Sequence, residues 1–338
     1  MRLVTPRGWY TRDGAGFRAL KLVLVPLSWI WAAVTARRIA RARPADPGVP
    51  VICVGNLTLG GSGKTPVVRA LAARLAARGE AVQLLCRSLA GSAGPLRVDP
   101  NQDVASAVGD EALMLARDGL PVWVARDRLN GARAAAAAGA DVVVMDDGHQ
   151  NLTLKKALSL VVIDGETRDG EWPFGDGAVF PAGPLREPLE AGLYRADAFI
   201  LLLPADLPEA DPRLLARLDG RPVLIAHLEA PEPLPSGPLL GFAGVAKPWK
   251  VERALIAAGA KLVDFAPFPD HAPFSEAALR ILRQRANALG ARLITTEKDW
   301  VRLPAAWRER VICWPVIARF EDDAAVDRLL ELAPPVTL

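Results

Sequence analysis

The sequence predicts an α/β protein: a parallel sheet covered on both faces, a second and smaller α/β unit, and an N-terminal membrane-associating helix. Three observations carry this reading. Apolar runs alternate with helical stretches across residues 44–230, the pattern of parallel strands buried on both faces. A proline-rich stretch at 204–238, closed by Pro231, Pro233, Pro235 and Pro238, connects to another strand–helix alternation over 231–338. Residues 1–43 are both basic and apolar, unlike the rest of the chain.

That first segment holds nine lysines and arginines and one acid, so it carries +8 and the remainder −5, against +3 for the 338 residues. A nucleic-acid arm would be basic and polar. Here the charges flank Ala19–Ala36, an apolar stretch with Trp29 and Trp31. A helix lying in the interface of an anionic membrane fits this pattern. Lys21 and Pro26 weigh against a spanning helix, and no small-residue cleavage site follows. A soluble core helix and a single anchoring span are the alternatives. The three cysteines, Cys53, Cys86 and Cys313, are scattered and form neither a disulfide framework nor a metal cluster.

Strands follow at Pro50–Val54, Ala81–Cys86, Pro121–Ala125, Asp141–Met145, Leu158–Ile163 and Ala198–Leu203. The first runs into Gly55-Asn56-Leu57-Thr58-Leu59-Gly60-Gly61-Ser62-Gly63-Lys64-Thr65. A strand entering a glycine-rich turn that ends in Gly-Lys-Thr is a P-loop, which makes the sheet P-loop NTPase-like. Its backbone N–H groups cradle a polyphosphate, Lys64 reaches the β- and γ-phosphates, and the Thr65 hydroxyl ligates Mg²⁺. Thr58 stands where the strict spacing has a glycine. Pro66 suits a first helical turn, Val67, Val68, Leu71 and Leu75 mark one apolar face, and Gly79 ends the helix.

Helices are expected at Gly109–Arg117 and Arg128–Ala138. Asp110 opens the first of these, as a cap or as a carboxylate at the ligand edge of the sheet. The strand Val142–Met145 ends in Asp146-Asp147-Gly148-His149-Gln150, where P-loop enzymes keep the acid that holds Mg²⁺. Pro181–Pro188 is a rigid loop presenting Arg186 and Glu187, a surface ion pair or a phosphate contact. The smaller unit reads as strand Leu239–Phe242, helix Lys250–Ala257, strand Lys261–Phe265, helix Ser275–Leu289 and strand Arg292–Thr295. Its loop Pro269-Asp270-His271 carries one of three histidines; His227, after an apolar run, reads as structural.

In order and spacing these motifs resemble the tetraacyldisaccharide 4′-kinase family of the lipid A pathway over nearly the whole chain. The likeness includes Gly55–Pro66 with its Thr58, Gly109-Asp110-Glu111, Asp146-Asp147-Gly148, Phe174–Gly177 with Pro181–Pro188, Ala243-Gly244-Val245, Asp270-His271 and Thr296-Glu297-Lys298-Asp299. The resemblance implies an ATP- and Mg²⁺-dependent kinase at the cytoplasmic face of the inner membrane. It would act as a monomer on an acylated disaccharide lipid, phosphorylating its 4′-hydroxyl. Asp110 would be the base, assisted by His271, with Lys64 and Asp147 at the transferred phosphoryl. Gly60, Gly61, Ser62, Gly63, Lys64, Thr65, Arg186 and Glu187 would bind the nucleotide. Thr65, Asp146, Asp147 and Gln150 would serve the metal, and Arg87, Glu111, Arg126 and Arg128 the acceptor.

The chain departs from the family pattern at Cys86-Arg87-Ser88-Leu89-Ala90, at His149 and at Lys247, where the family tends to have Asn. The rival reading is a membrane-associated P-loop ATPase or nucleotide switch acting on a protein partner. It would tolerate loss of Asp110 and His271.

Overall fold

The structure, a computed structural model, describes residues 7–10, 18–88 and 94–333. Leu89 and Ala90, part of the departing loop, and residues 1–6 and 11–17 of the N-terminal segment lie outside them.

Thirteen strands are described: β1 Val51–Gly55, β2 Val82–Arg87, β3 Leu96–Arg97, β4 Val122–Ala125, β5 Val142–Asp146, β6 Leu158–Asp164, β7 Ala198–Pro204, β8 Val223–Glu229, β9 Pro238–Ala243, β10 Lys261–Pro267, β11 Arg292–Thr296, β12 Val311–Trp314 and β13 Ile317–Phe320. Nine form one sheet in the order β13-β8-β7-β6-β1-β5-β2-β4-β3. It is parallel throughout except for the edge strands β3 and β13. The central strands are buried on both faces. In β1, Ile52 and Val54 enter one core while Val51 and Cys53 enter the opposite one, and β5 alternates in the same way. Fully burying each such side chain contributes roughly 1.5–3 kcal/mol.

Because β1 and β5 are neighbours, with Val54 opposite Asp146, the chain leaves both strands at the same edge. The turn after β1 enters helix Lys64–Ala77, which buries Val67, Val68, Leu71, Ala72 and Leu75. Gly63 caps this helix at φ 76°, and a Cβ there would sit 2.2 Å from a Leu202 methyl, so only glycine fits.

The smaller sheet, β10-β9-β11-β12, is wholly parallel. Phe242, Phe268 and Phe274 pack edge-to-face at its heart. The chain does not end there. β13 pairs antiparallel with β8, and helix Asp323–Leu330 buries Val326, Leu329 and Leu330 in the core of the large sheet. The 231–338 stretch read as one smaller unit therefore returns its last strand and helix to the larger one. The strands β3, β12 and β13 have no counterpart in the sequence reading, while the apolar run before His227 is β8. His227 lies within β8, its Nε2 2.8 Å from the Glu321 carboxylate.

Helix Arg18–Ala40 stands at the N-terminal side, and its stretch Lys21–Ala40, with mean hydropathy 1.4, is long and apolar enough to cross a membrane. One face is moored to the protein. The Ser28 hydroxyl accepts from the Ala182 N–H at 3.0 Å, Trp31 Nε1 donates to the Arg186 carbonyl at 2.9 Å, and Lys21 pairs with Asp176. The other face exposes Leu22, Val23, Leu27, Trp29, Ile30 and Val34, Trp29 by 70%. An apolar helix this exposed is no core helix of this chain. Upstream, Tyr10 is buried beneath the phosphate loop and donates its hydroxyl to the Leu59 carbonyl.

Candidate active site

The loop between β1 and helix Lys64–Ala77 is held from beneath and from one side. The buried Asn56 amide donates to the Thr58 carbonyl at 2.8 Å. The rigid Pro181–Pro188 segment clamps the flank: Leu59 N–H donates to the Pro184 carbonyl at 2.7 Å, Arg186 N–H to Leu57 at 2.8 Å, and Arg186 Nε to Thr58 at 3.0 Å. Gly60 takes φ 90°, and a Cβ there would meet the Tyr10 hydroxyl at 2.8 Å. The buried Ser62 hydroxyl has no protein partner.

Asp146 and Asp147 arrive beside this loop. Thr65 Oγ1 lies 3.5 Å from Asp146 Oδ2, and Lys64 Nζ lies 3.4 Å from Asp147 Oδ1. Asp147 takes φ 53°, an αL conformation that costs a side-chain-bearing residue on the order of 1 kcal/mol and here aims the carboxylate at the lysine. The two acids are pushed apart. Burial, then the Glu111 charge, raises Asp146 to about 7. Burial also acts on Asp147, but Lys64 and Arg186 outweigh it and hold that carboxyl well below its usual range.

Asp146 Oδ1 is buried without a partner, on the carboxylate whose Oδ2 lies 3.5 Å from the Thr65 hydroxyl oxygen. A hard cation fits those two oxygens. No group of three or more His, Cys, Asp or Glu side chains poised to hold a metal occurs among the described residues.

Opposite the loop, Asp110 is the first residue of helix Asp110–Ala116, whose N-cap is Gly109. Asp110 is therefore not the cap. Its Oδ1 accepts from the Glu111 N–H at 3.0 Å, and its Oδ2 lies 2.9 Å from His271 Nδ1. His271 reaches across from the smaller unit with φ 54°, its N–H bonded to the Gly244 carbonyl at 3.2 Å. Burial works to raise Asp110, but the His271 hydrogen bond and then the Lys298 charge hold it well below the ordinary carboxylate range.

Two cavities meet here. The larger, about 430 Å³, runs from Gly61–Thr65 between the two units to Asp164, Lys247, Lys250 and Trp314. The smaller, about 190 Å³, is lined by Arg87, Asp110, Asp146, Asp147, Arg186 and His271. Gly61, Glu111, Asp270 and Lys298 line both.

Other expected residues serve from behind. Glu187 is fully buried and paired with Arg195 at 2.6 Å. Gln150 spends its amide on the Asn56 carbonyl and on Glu187, and its Oε1 accepts from Arg186. Neither lines either cavity. Arg128 is buried and donates to the Asp146 carbonyl at 3.0 Å, propping the end of β5. Arg126 is exposed just past β4 and lines neither cavity.

The sequence reading gave no role to Lys298, which lies 2.9 Å from Glu111 Oε1, to Arg302, or to Asp164, which Lys247 and Lys250 hold at 2.8 and 2.6 Å. The only signals were Lys298 within a family motif and Lys247 as a departure. The structure explains the departure: Lys247 also lies 3.8 Å over the Tyr10 ring, joining the smaller unit to the segment beneath the phosphate loop.

The family profile described as tetraacyldisaccharide-1-P 4′-kinase matches residues 20–333. A tetraacyldisaccharide 4′-kinase from Phenylobacterium zucineum is 65% identical over 331 residues, 98% of this chain and 99% of its own. One from Caulobacter vibrioides is 61% identical over 332 residues, with the same coverage. Among solved structures, LpxK from Aquifex aeolicus in complex with ATP is similar at a TM-score of 0.71 and 25% identity, over 93% of this chain and 99% of that one.

Proposed function

The chain belongs to the tetraacyldisaccharide-1-P 4′-kinase family, and we propose how its residues divide that reaction. It is an ATP-dependent kinase of lipid A biosynthesis, phosphorylating the 4′-hydroxyl of a tetraacyldisaccharide 1-phosphate. The observation that carries the division of roles is the shared wall: the phosphate loop and the Asp110–His271 pair face two cavities that meet at Gly61.

ATP occupies the larger cavity with its phosphates on Gly60–Thr65. Lys64 neutralises charge on the transferred phosphoryl, and Asp147 together with Arg186 fixes where the ammonium points. Mg²⁺, held by Thr65 and Asp146, supplies further neutralisation of the polyphosphate when bound. The sugar hydroxyl enters the smaller cavity beside Asp110. Its oxygen attacks the γ-phosphorus, the bond from phosphorus to the β–γ bridging oxygen breaks, and ADP leaves. The hydroxyl proton passes to Asp110. A carboxylate held so low takes that proton late, so Asp110 first acts by orienting the hydroxyl, as a loose transition state requires. Arg87 and Arg186, at the mouth, face the anionic acceptor. Contact between the two units excludes water as a competing acceptor.

The exposed face of helix Arg18–Ala40 lies in the cytoplasmic leaflet of the inner membrane and delivers the amphiphilic acceptor. ATP turnover measured with and without the acylated disaccharide tests this reading. Acceptor-dependent turnover is expected; brisk hydrolysis without acceptor would point to a nucleotide switch instead.

A further inference from the structure

Lys298 stands where the two cavities meet, on the smaller unit, and faces the larger one. Its ammonium lies 2.9 Å from Glu111 Oε1 and 3.3 Å from His271 Nε2. Its neighbours in sequence are pinned. Glu297 receives both Arg69 nitrogens at 2.9 Å in a fork that ties it to the phosphate-loop helix, and Asp299 accepts from the Thr296 hydroxyl and pairs with Arg302.

An ammonium only donates hydrogen bonds. A contact at 3.3 Å therefore needs a lone pair on Nε2, which leaves the ring proton on Nδ1. That proton then points at Asp110 Oδ2, 2.9 Å away. The competing arrangement would put the proton on Nε2, facing Asp270 Oδ1, but that atom lies 3.6 Å off, outside hydrogen-bond range. The charges around the ring are Asp110, Asp270, Glu111, Lys298 and Arg302, the last 3.7 Å from Asp110 Oδ2.

We propose that Lys298 is a positioning residue for the kinase reaction: by donating to His271 Nε2 it fixes the neutral Nδ1–H tautomer that orients Asp110. This rests on Asp110 being the base. Burial disfavours the Lys298 charge, yet the carboxylates of Glu111, Asp110 and Asp270 more than restore it, which favours the ammonium as donor.

The chain has three histidines, so ring ¹⁵N NMR of the full-length protein in detergent micelles resolves His271 once H271Q identifies its signals. Wild type is expected to show the neutral Nδ1–H signature at pH 7. Lys298→Met is expected to move His271 towards the Nε2–H form and to lower kcat about 10²-fold. Lys298→Arg restores the wild-type signature. The double variant E111Q/K298M, which leaves no unpaired Glu111, must shift His271 as K298M does, so the test survives poor folding of the single variant. An Nε2–H signature in wild type, or an Nδ1–H signature that persists without Lys298, overturns the proposal. The spectra require no turnover, so a mistaken base assignment shows separately, as unimpaired kcat in Asp110→Asn.

Discussion

At the phosphate end of the cleft, Lys64, Thr65, Asp146 and Asp147 arrive from the ends of two adjacent strands of one sheet. At the hydroxyl end, Asp110 and Glu111 come from the larger unit, and His271, Lys298 and Arg302 from the smaller. The first arrangement is fixed by strand register and exists whatever the smaller unit does. The second exists only while the two units touch. Substitutions at the phosphate end should therefore abolish chemistry outright, while those at the hydroxyl end should also reveal how the units are coupled.

The largest effect belongs to the phosphate end. Lys64→Ala is expected to lower turnover about 10²-fold to 10³-fold, because phosphoryl transfer depends on fixed charge at the transferred group. It should also strand Asp147 with Arg186 alone. Near-normal steady-state turnover would remove Lys64 from the site. Asp110→Asn comes next, with kcat down about 10²-fold and ATP affinity by equilibrium titration unchanged. Equal losses in both would make Asp110 a structural residue at the helix start and erase the contrast between the two ends.

This contrast also sets what the sequence could disclose. The phosphate end is one contiguous motif plus an acid pair at a strand terminus, so local pattern finds Lys64, Thr65, Asp146 and Asp147, and two parallel strands bring them together. Asp110 and His271 are 161 positions apart, and no periodicity links them; only likeness to a family did. Glu187 and Gln150 sit in a conspicuous loop and beside a conspicuous acid pair, yet both are spent on holding the phosphate loop from behind. Arg69 has no local signature and Lys298 only its place in a family motif, since their meaning lies in contacts between the units. The edge strands β3 and β13, of two and four residues, were too short for alternation to show. The apolar central strands read plainly, because burial on both faces leaves no polar positions.

Coupling between the units gives a smaller, more diagnostic effect. The Arg69 fork on Glu297 links the phosphate-loop helix to the residue preceding Lys298. Arg69→Lys keeps the charge and loses the fork. Turnover should fall about tenfold, since misplacing a positioning group is felt at the reacting atoms. Lys64→Ala and Arg69→Lys should then combine additively, whereas Arg69→Lys and Lys298→Met should not. Additivity of the second pair would place Arg69 outside the hydroxyl end.

The smallest effect on chemistry is expected at the N-terminal helix, provided the right residues are changed. Removing residues 1–43 would be a poor test, because Tyr10 is buried under Gly60 and would leave the phosphate loop unsupported. Leu27, Ile30 and Val34 are instead exposed at helical spacing. Replacing all three with glutamate removes apolar side chains that would each contribute roughly 1.5–3 kcal/mol on insertion, and sets negative charge against anionic headgroups. Flotation with anionic vesicles should drop at least about tenfold, which is only 1.4 kcal/mol. Turnover of detergent-dispersed acceptor should stay near wild type, because neither end of the cleft touches those positions. Unchanged flotation would locate the membrane contact elsewhere on the chain. Loss of dispersed-acceptor turnover would instead tie this helix to the hydroxyl end, through Trp31 and the carbonyl of Arg186.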